Sequence, residues 1–260
     1  MKDVFKYTFL SIAEIKKFLF IIVSVSILSL LQAYPVISIV SFLFEKLLFL
    51  SAGVLMIYIV KITDNDKEYF ATFEKQPFST FVLHFMPAAM GIMLGGIVVF
   101  ALFAMFFILI LKFTGSMFIL ANPHEFFLSL SQTAFVAKVL LGFYLVYVMF
   151  LSYVFLGKFG EALSKENFKE SFLSILSALF DFKFWVGTFN LKYMGIYFVW
   201  SLIIGTVYVI VALTYLFYIF PMILGNPDFG LVMIPVLVAI TTVLSYFTFF
   251  SAYFAYKSVK

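Results

Sequence analysis

The chain has 260 residues, of which 65% are hydrophobic, and a formal net charge of +4. An average soluble domain has about 45–50% apolar and about 25% charged residues, whereas only 12% are charged here. A wetted exterior cannot hide so much apolar surface. The composition therefore excludes a soluble globular protein and predicts an all-α, polytopic integral membrane protein with the lipid bilayer as its first partner.

The basic residues and the cysteine count limit the binding partners and reactive groups that the chain can have. All 17 basic residues are Lys, so the chain lacks the guanidinium that grips phosphate in a bidentate manner. That absence argues weakly against a nucleic-acid partner, since a compositional bias that also favours Phe, Ile and Tyr explains it better. No Cys occurs, which removes disulfides, thiol nucleophiles and thiolate metal sites.

Six apolar segments predict about six transmembrane helices in three hairpins, within a single transmembrane domain covering residues 1–260. A hydrocarbon core of about 30 Å needs about 20 helical residues. The segments are residues 18–33, 36–60, 82–111, 134–156, 193–220 and 229–256. The first is short and is followed by a break at Pro35, so the first two segments form either a full hairpin or a re-entrant one. Pro87 is expected to kink the third.

The lysines predict an orientation for these spans. Lys46 and Lys138 lie within spans and Lys112 lies at a span end, while the other lysines all fall on one side. Cytoplasmic loops carry the excess of Lys in multi-pass proteins. The pattern predicts a protein of the cell (cytoplasmic) membrane with both termini, and the loops at 61–77 and 158–192, in the cytoplasm.

Two predicted cytoplasmic segments have the period of amphipathic helices. Residues 3–17 and 167–184 are predicted to lie on the membrane surface, with Phe172, Ile175 and Leu179 of the second facing inward. Asn167 followed by Glu170 is typical of a capping box. The alternative is a cytoplasmic helix packed on its protein neighbours.

The sequence offers few groups for catalysis or cofactor binding. His84 and His124 lie on opposite sides of a predicted span of about 30 Å, so they cannot share a metal. The Gly95-Gly96 pair lacks the Lys-Ser/Thr of a phosphate-binding loop. We therefore expect no enzymatic activity, no metal and no cofactor.

Two pairs of residues within the spans are candidates for a role in function or assembly. Glu45 and Lys46 form the candidate intramembrane polar site, because a charge near the bilayer centre costs about 2.5–3.5 kcal/mol on insertion scales. Adjacent residues on a helix point about 100° apart, so neither residue is the ideal partner of the other. A shallower hairpin would leave both near the headgroups without a task. Gly91 and Gly95 are candidates for helix packing, either within the chain or in a dimer.

The runs SAGVLMIYIVK at residues 51–61, before an acidic loop, and FGEAL at residues 159–163, before an amphipathic segment, carry a resemblance. They resemble an uncharacterised multi-span membrane family, frequent in archaea and known only as a domain of unknown function. That family is distantly similar to the membrane domain beside some glycerophosphodiester phosphodiesterases. The chain departs from the pattern by lacking the basic residue usual one turn before Lys61. The resemblance implies a fold over most of the chain and no activity.

Two function classes remain open from the sequence. The first is an accessory or scaffold subunit of a membrane assembly, with other membrane proteins as partners. The second is a small transporter or channel for a solute or a lipid. Transporters place several polar groups near mid-membrane, and here only Glu45, Lys46 and scattered hydroxyls qualify. The first class is therefore the favoured expectation.

Overall fold

A computed structural model describes residues 1–65, 77–114, 135–214, 217, 222 and 227–260. Ten α-helices make up these ranges, and no strand occurs among the described residues. The helices are α1 (Lys2–Ala13), α2 (Ile15–Leu31), α3 (Ser38–Asn65), α4 (Phe78–His84), α5 (Met86–Phe113), α6 (Phe135–Leu163), α7 (Phe168–Ser177), α8 (Phe182–Thr188), α9 (Leu191–Thr214) and α10 (Pro227–Val259). The predicted all-α class is confirmed for this part of the chain.

Five of the helices are long and apolar enough to cross a membrane, which makes the chain a multi-pass membrane protein. They are Ser38–Ile62 of α3, all of α5, α6 and α9, and Met233–Val259 of α10. The first predicted span corresponds to α2, which has 17 residues and so a length of about 26 Å, slightly less than the hydrocarbon core. The segments predicted at 193–220 and 229–256 extend in part outside the described residues.

The third predicted span begins later than the hydrophobic pattern indicated. Helix α4 ends at His84, and Phe85 (φ −87°, ψ 1°) separates it from α5. Pro87 is the second residue of α5, where its missing N–H has no helical partner to lose. The expected kink at Pro87 is therefore wrong, and Pro87 instead lies in the first turn of a new helix. Helix α6 runs to Leu163, well past the predicted end at 156.

Helices α3 and α10 form the centre of the bundle. Leu55 and Ile57 of α3 are buried with Phe85, Tyr246 and Phe250 in one apolar cluster. Helix α2 runs antiparallel to α3 and packs on both α3 and α10. Helix α1 crosses α10, with Phe5 on Phe247 at a ring-centroid distance of 5.5 Å. The segment predicted as one interfacial helix at 3–17 thus breaks at Glu14, and its first part is held by α10.

The segment predicted as an interfacial helix at 167–184 forms two helices, α7 and α8. Its capping box is confirmed, because the Asn167 side chain accepts a hydrogen bond from the Glu170 N–H at 2.9 Å. Helix α7 packs lengthwise on α5: Gly91 lies beside Phe168 and Gly95 beside Ile175. Both numbers rise together, so α7 runs parallel to α5. It ends about 17 Å from the start of α5, at about two fifths of the length of that helix.

Helix α8 then returns towards the end of α10, where Gly187 packs on Val259. We call residues 168–188 the re-entrant hairpin, because they enter the space beside α5 and turn back within the bundle. Ile175 and Leu179 are buried against other helices, which agrees with the alternative of a helix packed on its protein neighbours, and the position of this segment relative to the membrane surface stays a prediction. Ser171 and Ser174 of α7 are buried as well.

Gly91 and Gly95 explain how α7 comes so close to α5. A Cβ at Gly91 would overlap the Phe168 carbonyl oxygen, and one at Gly95 would lie 2.9 Å from the Ile175 Cβ. Small residues allow helix backbones to approach in this way. The two glycines therefore serve packing within the chain, which is the first of the two alternatives that the sequence left open.

Replacing Gly91 by Ala should separate α7 from α5, because the new methyl group meets backbone that cannot move away. We expect Gly91→Ala to lower the free energy of unfolding by about 1–3 kcal/mol, the usual cost of overpacking. Gly96→Ala is the matched control, since a Cβ there meets nothing within 4 Å. Thermal unfolding in detergent measures both. Equal stability of the two variants would contradict the packing of α7 on α5.

Candidate functional site

The predicted polar site at Glu45 is a hydrogen-bonded cluster near the turn between α2 and α3. Glu45 lies about 10 Å along α3 from its start at Ser38, and 7% of its surface is exposed. Ser29 donates to Glu45 Oε2 at 3.2 Å, and the Gln32 amide donates to the same oxygen. Lys46 Nζ donates to Oε1 at 2.6 Å. The carboxylate thus has partners on both oxygens.

Glu45 and Lys46 pair with each other, although adjacent positions on a helix are not ideal for an ion pair. The flexible Lys stem bends back, so that the ammonium reaches the neighbouring carboxylate and also lies 5.0 Å from the centre of the Phe42 ring. A long side chain can cover an angular separation that backbone geometry leaves open. The two residues therefore form a local ion pair that also joins the α2 and α3 ends through Ser29 and Gln32. Their role in function stays a hypothesis.

A second ionic cluster, which the sequence did not indicate, surrounds Lys158 in α6. The Lys158 side chain is 3% exposed, and its Nζ lies 2.7 Å from Glu161 Oε2 and 2.6 Å from Asp181 Oδ2. The ammonium also lies 4.4 Å from the centre of the Phe184 ring, within range of a cation–π interaction. We call Lys158, Glu161 and Asp181 the lysine triad.

The lysine triad fixes the re-entrant hairpin to α6. Asp181 lies between α7 and α8 and caps α8, because its Oδ1 accepts a hydrogen bond from the Phe184 N–H at 3.0 Å. Partial burial alone would raise the pKa of the Asp181 carboxyl, but the hydrogen bonds from Lys158 and Phe184 outweigh it and lower that pKa. Asp181 is therefore ionised at neutral pH and holds the turn of the hairpin on α6.

Charged residues from three segments meet at one end of the bundle, next to the lysine triad. Lys61 at the end of α3 donates to the Ser164 carbonyl oxygen after α6. It also interacts electrostatically with Glu166 and with Lys260 beyond α10. We call this region the charged end. The structure thus brings together lysines that the sequence assigned to one side of the predicted spans.

The sequence placed Lys158 in a loop because the apolar run ends near residue 156, where the helix was expected to stop. The missed signal was Lys158 with Glu161, a pair at the spacing of ion pairs on a helix. That pair indicates that α6 continues. Nothing local indicates that Asp181 would be the other partner, because the contact depends on the re-entrant hairpin.

The two histidines do not form a metal site in the described part of the chain. His84 ends α4, and its ring lies 5.2 Å from that of Phe85. His124 lies outside the described residues. Among the residues that the structure describes, no three His, Asp or Glu side chains are placed to hold a metal ion.

Comparisons with protein-family models, with curated proteins and with solved structures find no match for this chain. The resemblance to an uncharacterised multi-span family therefore stays a prediction.

Removing both carboxylates of the lysine triad should destabilise the protein more than removing its lysine. Glu161→Gln with Asp181→Asn leaves the buried ammonium without a carboxylate, which costs about 3–5 kcal/mol. Lys158→Met leaves two carboxylates that are 21% and 35% exposed and can be hydrated, so we expect a smaller loss of stability.

Thermal unfolding in detergent ranks these variants. Adding Lys158→Met to the double variant removes the unpaired charge and should restore most of the lost stability. A double variant as stable as the parent would contradict the buried position of Lys158.

Proposed function

We propose that the chain crosses the cell membrane six times, with α2 as the first span, and that the charged end faces the cytoplasm. The clustering of Lys61, Lys165 and Lys260 with the start of α7 supports this orientation, because lysines concentrate on the cytoplasmic side. Helix α2 pairs with α3 along its length, and Val36 in the turn between them is 93% exposed. These features favour a full hairpin over a re-entrant one for α2 and α3.

Single cysteines in this Cys-free chain test the orientation. Lys165→Cys should react with a membrane-impermeant maleimide only after the cells are permeabilised. Val36→Cys should react in intact cells, since a full hairpin places it on the outer side. Labelling of Lys165→Cys in intact cells would overturn the orientation. A Val36→Cys chain that reacts only in detergent would show that the first hairpin is re-entrant.

We further propose that the protein is a non-enzymatic accessory or scaffold subunit of a membrane assembly. The observation that carries this proposal is the open surface of α9. Only 6% of its most apolar stretch is buried by the residues that the structure describes, although α10 covers one edge through contacts such as the hydrogen bond from Trp200 Nε1 to Thr248 at 3.2 Å. The remaining surface is available to a partner helix.

Small residues on α9 favour a partner helix over lipid alone. A Cβ at Gly195 or at Gly205 meets nothing within 4 Å, so packing within the chain does not require glycine at either position. The Ser201 hydroxyl is buried within the chain, so Gly195 and Gly205 are the small residues that allow a partner helix to approach closely. A glycine inside a helix costs about 1 kcal/mol relative to alanine, which a close partner helix would offset.

Transport of a hydrophilic solute has less support. A solute path needs polar groups that can exchange partners near mid-membrane. Glu45 and Lys158 are the buried charged residues among those described, and both are already engaged by neighbours in the chain. An ion pair that holds helices together is a poor site for a passing solute.

Purification in mild detergent from the native membrane tests the accessory role. We expect a partner at about one copy per chain, and Gly205→Leu should lose it because the new side chain blocks close approach. Gly142→Leu is the matched control, since Gly142 is equally open but lies on α6. A chain that purifies alone, or a partner retained equally by both variants, would contradict docking on α9.

A further inference from the structure

Two unfilled spaces border the tip of the re-entrant hairpin, residues 178–181. The first is an apolar groove of about 500 Å³ between α5 and α6, lined by Phe106 of α5, Tyr144 of α6 and Leu179 of the tip. The second space, of about 310 Å³, also borders Leu179 and has Trp200 of α9 in its wall. Protein interiors are close-packed, so these spaces leave the tip of the hairpin room to shift.

Helix α8 and the first turn of α9 form a rigid corner. Phe189 and Asn190 alone separate the two helices, and the Asn190 side chain bonds to both. Its Nδ2 donates to the Gly187 carbonyl oxygen of α8 at 2.7 Å, and its Oδ1 accepts from the Tyr193 N–H of α9 at 2.8 Å. A change in the angle of α9 therefore carries α8 with it.

The Tyr193 hydroxyl fixes this corner on α6. It accepts a hydrogen bond from the Gly157 N–H at 3.0 Å and donates to the Tyr153 carbonyl oxygen at 2.6 Å. In an α-helix these two backbone groups bond to each other, so a side chain of α9 bonds to both partners of one helical hydrogen bond of α6. A side chain that enters the hydrogen-bond ladder bends a helix, and Tyr193 therefore affects the direction of the turns that follow.

The same turn of α6 also holds the re-entrant hairpin. A Cβ at Gly157 would lie 2.8 Å from the Tyr193 ring and 2.7 Å from the Phe184 ring, so this glycine admits α9 and α8 together. Lys158 follows directly, and its ammonium contacts Phe184 and Asp181. One turn of α6 thus carries both the Tyr193 contact and the ion pair that fixes the turn of the hairpin.

Helix α9 can act on this turn as a lever. Its buried residues are Tyr193 and Ile196, near its start, and it rests on α10 at Trp200. From Tyr193 to Thr214 the helix extends about 32 Å, and most of this length is the open surface proposed above for a partner. A partner that displaces the far part of α9 therefore tilts its start.

We infer that α9 regulates the re-entrant hairpin. A partner helix that tilts α9 turns the corner at Asn190 and shifts the Tyr193 hydroxyl in the ladder of α6. The ion pair between Lys158 and Asp181 then lengthens, and the tip of the hairpin moves into the spaces beside Leu179. This regulation rests on the proposed partner of α9, whereas the coupling between Tyr193 and the hairpin belongs to the chain alone.

Spin labels in this Cys-free chain measure the coupling as a distance. Phe180→Cys at the tip and Lys6→Cys in α1, both at exposed positions, carry the labels in lipid nanodiscs. Tyr193→Phe removes the hydroxyl and lets the Gly157 N–H bond directly to the Tyr153 carbonyl, so no hydrogen-bonding group is left unpaired. We expect this variant to change the distance between the two labels by about 1–2 Å, the size of helix shifts between packed elements.

Matched variants separate the coupling from a general loss of packing. Tyr197→Phe is the control, because Tyr197 lies one turn further along α9 and its ring packs on the Tyr153 ring at 4.8 Å. It should leave the distance unchanged. Asp181→Asn removes the carboxylate that Lys158 holds, so it should move the tip as well. Adding Tyr193→Phe to it should add little, because both changes act on the same contact.

A label distance that Asp181→Asn moves and Tyr193→Phe does not would overturn the coupling, and so would equal effects of Tyr193→Phe and Tyr197→Phe. Tyr193→Phe leaves the lysine triad intact, so it remains decisive if Asp181→Asn fails to fold. These measurements use the chain without a partner, so their failure contradicts the coupling and not docking on α9. In the complex purified with its partner, the distance should change as in Tyr193→Phe, and an unchanged distance would overturn the regulation.

Discussion

A charge that is buried in an apolar bundle is costly unless the chain itself supplies partners for it. Glu45 meets this condition with a hydroxyl, an amide and an ammonium, all from the ends of α2 and α3. Lys158 meets it with two carboxylates and an aromatic ring. In both places the partners come from different helices, so the same contacts that satisfy a charge also join the helices.

The lysine triad has the wider consequence, because it holds the re-entrant hairpin in place. Asp181 is anchored to α6, Trp185 Nε1 donates to the Ala178 carbonyl at 2.8 Å across the turn, and Gly91 and Gly95 admit α7 on α5. Helix α7 therefore lies between two spans in one half of the bundle and keeps them apart. The separation of α5 and α6 beyond its tip, and the groove there, follow from where α7 ends.

The sequence predicted those features that depend on local composition or on the period of a helix. The long apolar runs gave five helices of spanning length, and Asn167 with Glu170 gave the start of α7. The direction of α7 could not be predicted, because its buried face carries Ser171 and Ser174 and therefore looks polar. Serine suits a close contact with glycine as well as it suits water, and only the neighbouring helix distinguishes the two.

The two candidate sites also differ in how far the sequence could predict them. Glu45 was found because a charge in an apolar run is visible without any structure, whereas the cluster around Lys158 joins residues 23 positions apart through a hairpin that no pattern indicated. Even the Glu45–Lys46 contact depended on a side-chain conformation that the helical angle alone did not suggest. Composition therefore located one charged group, and tertiary packing determined what each charge contacts.

The bundle has two exposed apolar surfaces that differ in shape, and the shape of each determines which kind of partner can bind to it. On α9, Gly195 and Gly205 have no side chains that project from the helix, so the surface there is flat. A second helix can approach such a surface closely enough for backbone contact. Between α5 and α6 the walls are large side chains around a narrow space, which no helix of about 10 Å diameter can enter but a single hydrocarbon chain can. A flat surface therefore suits a protein partner and a narrow groove suits a lipid, although both are apolar.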